Sequence, residues 1–186
     1  MPFEFQPLEI EDVVLVIPKI FIDERGVFLE TFKASDFQKA GIPTHFVQDS
    51  QSLSKINVVR GLHYQLPPMA QGKLVRALRG SLFDVAVDIR KGSPTYGQWV
   101  SAFLTEENQH MLWIPPGFAH GVAALEDNSI LLYKVTAEYA PHLDRGIFWN
   151  DPELGISWPV KNPILSEKDQ NLPYFRDCEN TFLYTS

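Results

Sequence analysis

The sequence predicts an all-β fold, a sandwich or barrel, on three observations. Short runs rich in Val, Ile, Leu, Phe and Tyr follow one another, separated by Gly, Pro, Asn and Asp turns. In the clearest run, 82–90 (LFDVAVDIR), Phe83, Val85, Val87 and Ile89 share one face while Asp84 and Asp88 share the other. Only two stretches carry helix signals, and no repeat or low-complexity segment interrupts the pattern. With 186 residues the chain has the size of a single domain, 1–186, because division would leave each half too small.

In chain order, the first strand expected is 13–20 (VVLVIPKI), followed by 26–33 (GVFLETFK), which opens on a glycine turn. The valines and tyrosine of 56–65 mark a third strand, and 73–79 (KLVRALR) starts after the turn Gln71-Gly72. Gly80-Ser81 stands between 73–79 and 82–90 as two turn-forming residues and reads as a β-hairpin. Strands 98–104 and 110–115 follow; Pro115-Pro116-Gly117 then turns the chain into 119–124, and 129–136 (SILLYKVT) closes the series. Ser35 to Gln38 resembles a helix capping box with a stop at Gly41, and Ser166 to Asp169 resembles another, ended by Pro173. The tail beyond carries no strong signal.

A formal net charge of −7 with no run of Lys or Arg excludes a broad nucleic-acid surface, although a local basic pocket could still take an acidic ligand. The N-terminus has no positive leader region, and its longest apolar run, Val13 to Ile17, is too short for a signal core or a membrane span. A cytoplasmic protein is expected, and the single Cys178, without a partner for a disulfide or metal pair, fits a reducing compartment.

Two stretches carry candidate chemistry. VVRGLHYQ (58–65) places Arg60 and His63 inside an apolar strand, where strict alternation would send them to opposite faces. They can share a cavity only if the parity breaks, and Gly61 is the residue that permits a bulge there. Taken alone, the segment favours an edge strand with a solvated Arg and a hydrogen-bonded His. WIPPGFAHG (113–121) supplies a P-x-G-x-x-H pattern through Pro115, Gly117 and His120, half of the cupin motif. Cupin metal sites add an earlier H-x-H, whereas His63 is followed by Tyr64 and Gln65, so a cupin-like barrel without a metal is expected. Alone, Lys73 reads as a solvated strand start, Tyr133 as a core β-former between Leu131 and Val135, and Asp169 as the acidic residue of its capping box.

In combination, FIDERGVFLETF, FVQDSQSLS, VVRGLHYQ, GKLVRALRG, LFDVAVDIR, IPPGFAHG, YKVT and LSEKDQNLP, in this order from about residue 17 to 173, closely resemble the dTDP-4-dehydrorhamnose 3,5-epimerases. The resemblance implies a double-stranded β-helix jelly roll with a few short helices, paired as a homodimer. It also implies an enzyme that epimerises a 4-keto-6-deoxyhexose carried on thymidine diphosphate, with no metal or organic cofactor. By the motif match, His63 would be the base, Asp169 its orienting carboxylate, Tyr133 the proton donor on the opposite face and Lys73 the stabiliser of the oxyanion at O4. Arg25, Glu30, Gln48, Asp49, Arg60, His120 and Lys168 would contact the nucleotide sugar, and Tyr139 would stack on it. Ser50 stands where the family commonly has Asn, and Asp144 where it commonly has Glu.

Three other readings compete. A relative on the same scaffold could invert one centre or isomerise a related dTDP-keto-sugar; retention of both His63 and Tyr133 favours the double epimerisation. A metal-dependent cupin oxygenase is disfavoured by the missing H-x-H, and a non-catalytic sugar-nucleotide binder by the acid–base pair. The β-prone N-terminal third has more strand than one small barrel needs, which suggests pairing across a two-fold with Arg25 and Glu30 in the partner's pocket.

Overall fold

The computed structural model describes residues 2–185. Two antiparallel sheets face one another. The first has six strands in the order β1 (Phe3–Pro7), β2 (Val14–Pro18), β10 (Met111–Ile114), β7 (Lys73–Arg79), β12 (Ser129–Val135) and β5 (Gln48–Ser54). The second has five, in the order β13 (Asp144–Gly146), β6 (Val59–Gln65), β11 (Phe118–Ala124), β8 (Ser81–Asp88) and β9 (Trp99–Thr105). A separate hairpin, β3 (Phe21–Asp23) and β4 (Gly26–Phe28), stands outside both.

Three apolar clusters hold these layers. Val75, Ala77, Leu112 and Leu131 from the first sheet meet Leu82, Ala86, Leu104 and Val122 from the second, filling one end of the space between the sheets. The outer face of the second sheet, including Phe83, Val85 and Val87, is covered by Ile147, Leu154, Ile156, Val160 and Phe175 of the C-terminal segment. Helix α1 (Ala34–Lys39) packs Phe37 against Phe3, Val16 and Trp113 on the outer face of the first sheet. The second sheet is therefore buried on both sides, and the weakly patterned tail supplies its outer cover.

Several expectations need correction. The turn at Gly80 is real, with φ +71°, but 73–79 and 82–90 do not form a hairpin: β7 and β8 lie in different sheets. Gly80 carries the chain from one layer to the other, so Val75 and Ala77 of one sheet and Leu82 and Ala86 of the other enter the same core between them. An added Cβ at Gly80 would stand 2.5 Å from Ser129 Oγ. Of 26–33, only Gly26–Phe28 is strand. β1, β3, β5 and β13 were not expected. α1 begins after Lys33 with no side-chain cap, so Ser35 lies within the helix; packing of Phe37 against Phe32 and Phe3 fixes its place. Helix α2 (Glu167–Gln170) does begin at the expected cap, where Ser166 Oγ accepts from Asp169 N–H at 3.0 Å.

Candidate active site

Where the apolar filling stops, the facing sheets enclose a cavity of about 270 Å³ lined by Arg60, His63, Lys73, His120, Tyr133 and Asp169, among others. It continues into a cleft that shares His63, Lys73 and Tyr133 and adds Gln48, Ser50, Tyr139 and Asp144. The first sheet supplies one wall through strand register. Ser50 lies opposite Tyr133, which lies opposite Val75, and two residues along the strands Gln48, Val135 and Lys73 form the next row on the same face. Alternation then aims Gln48, Ser50, Lys73 and Tyr133 inward.

The second sheet supplies the other wall through the break in parity at Gly61. His63 pairs with His120 and Arg60 with Val122, so three residues of β6 span two of β11. This bulge turns Arg60 and His63 to the same side while Leu62 and Tyr64 enter the outer core. Gly61 has φ +121°, and a Cβ on it would stand 2.6 Å from Gly121 Cα, so the strand requires glycine here.

His63 Nε2 lies 2.6 Å from Asp169 Oδ1. Burial pushes the Asp169 carboxyl up, but the hydrogen bond and charge of His63, with the Ser166 hydroxyl and Gly61 N–H, hold it below the usual carboxylate range. An ionised Asp169 fixes a proton on Nε2 and leaves Nδ1 as the basic atom of the imidazole. His120 repeats the motif: its Nε2 lies 2.9 Å from both oxygens of Asp84. Asp84 is fully buried, and desolvation raises its pKa while the neighbouring His120 opposes the rise.

Lys73 is buried, and its ammonium donates to Gln71 Oε1 at 2.7 Å. Desolvation lowers its pKa to about 8 despite the charge of Asp144. Asp144 is itself engaged by Lys168 and by the Tyr139 hydroxyl, which donates at 3.0 Å. That hydrogen bond is the largest cause of a raised Tyr139 pKa. Arg60 donates to Ser54 Oγ at 3.1 Å and to the Leu53 carbonyl at 3.2 Å.

Of the residues singled out by sequence, His63, Lys73, Tyr133, Asp169, Gln48, Ser50, Arg60, His120, Tyr139, Asp144 and Lys168 line this continuous cleft. Three do not. Asp49, one residue out of parity with Gln48 and Ser50, lies on the outer face of β5 and pairs with Lys134 at 2.8 Å. Arg25 stands on the outlying β3–β4 hairpin, paired with Asp23 at 2.6 Å. Glu30 follows the same hairpin, and its Oε2 is buried without a hydrogen-bond partner among the described residues. Sequence reading missed Asp84, whose signal was a charge inside an otherwise apolar strand, and Gln71, which had none. Among the described residues no three His, Cys, Asp or Glu side chains gather as metal ligands would, and no helix is long and apolar enough to cross a membrane.

A family model described as dTDP-4-dehydrorhamnose 3,5-epimerase matches residues 7–177, which takes in every element of the cleft. The chain belongs to the dTDP-4-dehydrorhamnose 3,5-epimerase family. It is similar to the enzyme of that name from Sinorhizobium fredii, with 52% identity over 97% of this chain and 93% of the relative. The Shigella flexneri enzyme of the same name is 52% identical over 92% of this chain and 95% of the relative. Among solved structures, the dTDP-6-deoxy-D-glucose-3,5-epimerase of Legionella pneumophila, in complex with dTDP-4-keto-L-rhamnose, superposes with a TM-score of 0.95 at 42% identity. That likeness covers 99% of this chain and 100% of the Legionella chain. The agreement extends to the nearly all-β, antiparallel architecture.

Proposed function

We propose that the cleft converts dTDP-4-dehydro-6-deoxy-D-glucose to dTDP-4-dehydro-L-rhamnose by inverting C3 and C5. The observation that carries this reading is the placement of the His63–Asp169 pair and Tyr133 on facing sheets of one cavity, in a chain of this family. The C4 ketone acidifies the hydrogens on both neighbouring carbons, so one set of groups serves both inversions.

In each inversion His63 Nδ1 takes the proton from carbon, and the electron pair moves into the C3–C4 or C4–C5 bond as O4 becomes an enolate oxygen. The Lys73 ammonium donates to that oxygen inside a poorly hydrated wall, where a fixed charge stabilises it most. The Tyr133 hydroxyl then protonates the carbon from the opposite side. One inversion leaves an imidazolium and a phenolate, and proton exchange with solvent resets both. The balance needs only protons, so no redox partner is called for. Asp169 orients the ring and stabilises its charged form.

Binding roles follow from placement. Arg60 suits the diphosphate through its forked donors, with Lys168 and His120 nearby, and the exposed ring of Tyr139 suits stacking on the thymine. Gln48, Ser50 and Asp144 line the same end of the cleft. We read the two facing sheets as a double-stranded β-helix jelly roll of the cupin type that encloses the site as one domain over 1–186. The unpaired Cys178 suits the cytoplasm.

A homodimer accounts for Arg25 and Glu30. Their hairpin exposes Phe21, Ile22, Val27 and Phe28 together, an apolar surface of the kind a second copy covers. On that reading Arg25 and Glu30 reach the partner's cleft. Sedimentation at micromolar concentration should show a dimer; a monomer there would remove both residues from the site.

The test of the reaction is proton NMR of dTDP-4-keto-6-deoxyglucose in deuterium oxide with the protein. Loss of both the C3 and C5 signals is expected, and exchange at only one carbon would reduce the activity to a single-centre epimerisation. His63→Ala should slow exchange at both carbons by about 10²–10⁴-fold while leaving nucleotide-sugar binding in place.

A further inference from the structure

Gln71 joins the Lys73 ammonium to the chain that leads to Tyr139 through one side chain. It lines the cleft one residue before Gly72 and two before Lys73. Its Oε1 accepts from the Lys73 ammonium at 2.7 Å, and its Nε2 donates to the Ala137 carbonyl at 2.8 Å. Ala137 belongs to the strap that leads to Tyr139. The strap is fastened along its length: Gly72 N–H donates to Thr136 Oγ1 at 2.8 Å, Tyr139 N–H to Gln48 Oε1 at 2.9 Å, and Ala140 N–H to Gln65 Oε1 at 2.8 Å.

We propose that Gln71 is a positioning residue that holds the Lys73 ammonium in register with the Tyr139 strap. The proposal rests on the role given above to Lys73. Its chemical basis is that an ammonium only donates and a carbonyl only accepts, so the side chain between them must do both. A primary amide does so without charge. A carboxylate could satisfy Lys73 but would face the Ala137 carbonyl with no donor, and a thioether is only a weak acceptor for the ammonium and no donor for the carbonyl.

The titratable and charged groups that share the cleft with Lys73 come from every element around it. Tyr133 faces it from β12, Arg60 and His63 from β6, and His120 from β11. Asp144 lies on β13, Lys168 and Asp169 on α2, and Tyr139 on the strap. Asp144 supplies the favourable negative charge, and it is shared with Lys168. Exchanging the neutral acceptor at 71 therefore acts directly on Lys73.

The test compares Gln71→Glu, Gln71→Met and Lys73→Met in the full-length protein. Turnover is followed against pH, and the Lys73 titration is followed separately by NMR of ¹³C-labelled lysine. Gln71→Glu should raise the Lys73 titration and the high-pH limb of kcat together by about one pH unit, because it adds an opposite charge in contact. It should also raise KM severalfold by releasing the strap. Gln71→Met should move titration and limb downward and lower kcat about tenfold, the scale of one hydrogen bond to a charged group. If Lys73→Met abolishes turnover while both Gln71 variants keep the parent titration and pH profile, Gln71 does not position the lysine and the proposal falls alone. If Lys73→Met retains full turnover, the reading of Lys73 fails and the proposal fails with it.

Discussion

Burial of the Lys73 ammonium gives one residue two opposite pH dependences. Desolvation brings its folded pKa to about 8, below the ordinary lysine value of 10.5 that the unfolded chain retains. The proposed enolate stabiliser must be charged, so kcat should fall as pH rises through about 8. Stability should move the other way. Between about pH 8 and 10.5 the unfolded chain holds a proton on this lysine that the folded chain does not, so the Lys73 contribution to unfolding free energy increases with pH. Denaturant titrations of the parent and Lys73→Met at pH 7.5 and 9.5 would check this: the parent should gain relative to the variant while its turnover declines. Single residues were also where the sequence spoke most clearly. Arg60 and His63 raised the question of a shared cavity, which only the motifs taken together could answer, and Asp169 was legible as a cap before it was legible as a partner for His63. Gln71 was not, since an amide beside a turn carries no pattern until its two hydrogen bonds are seen.

At the level of the element, the bulge in β6 is the device that lets one strand offer both a guanidinium and an imidazole to the same cavity. Gly61→Ala should therefore damage fold and site together. Its Cβ has no room against Gly121, and φ +121° disfavours any side chain, so a loss of about 2–3 kcal/mol in unfolding free energy is expected from urea titration. The same element shows why some strands were legible and others were not. β8 alternates because Phe83, Val85 and Val87 enter the C-terminal cover while Asp84, on the other face, meets His120 at the cavity. β5 carries Gln48, Ser50 and Ser52 inward because that face lines the cavity rather than the core, so it never showed a hydrophobic period. The Gly80 turn misled for another reason: the local signal of a turn is the same whether the next strand pairs beside the first or crosses to the other sheet.

Across the whole molecule, the cleft belongs to neither sheet. A nucleotide sugar that touches Arg60 and His63 on one side and Tyr133 on the other should brace the two layers. Amide hydrogen exchange with saturating dTDP-sugar should slow in both β6 and β12, with a stabilisation of about 2.7 kcal/mol when the free ligand is at 100 times Kd. Protection confined to one sheet would show that the ligand does not span the cavity. The two layers are spaced by Val75, Leu82, Leu104, Leu112 and Leu131, none of which lines a wall beside His63 except Leu131. The gap between His63 and Tyr133, the proposed proton acceptor and donor, is thus a property of leucine and valine volumes rather than of the two groups themselves. The hydrophobic core works as a gauge block: it sets the jaw opening of the enzyme, and a methylene added or removed there changes the reach between His63 and Tyr133 without touching either.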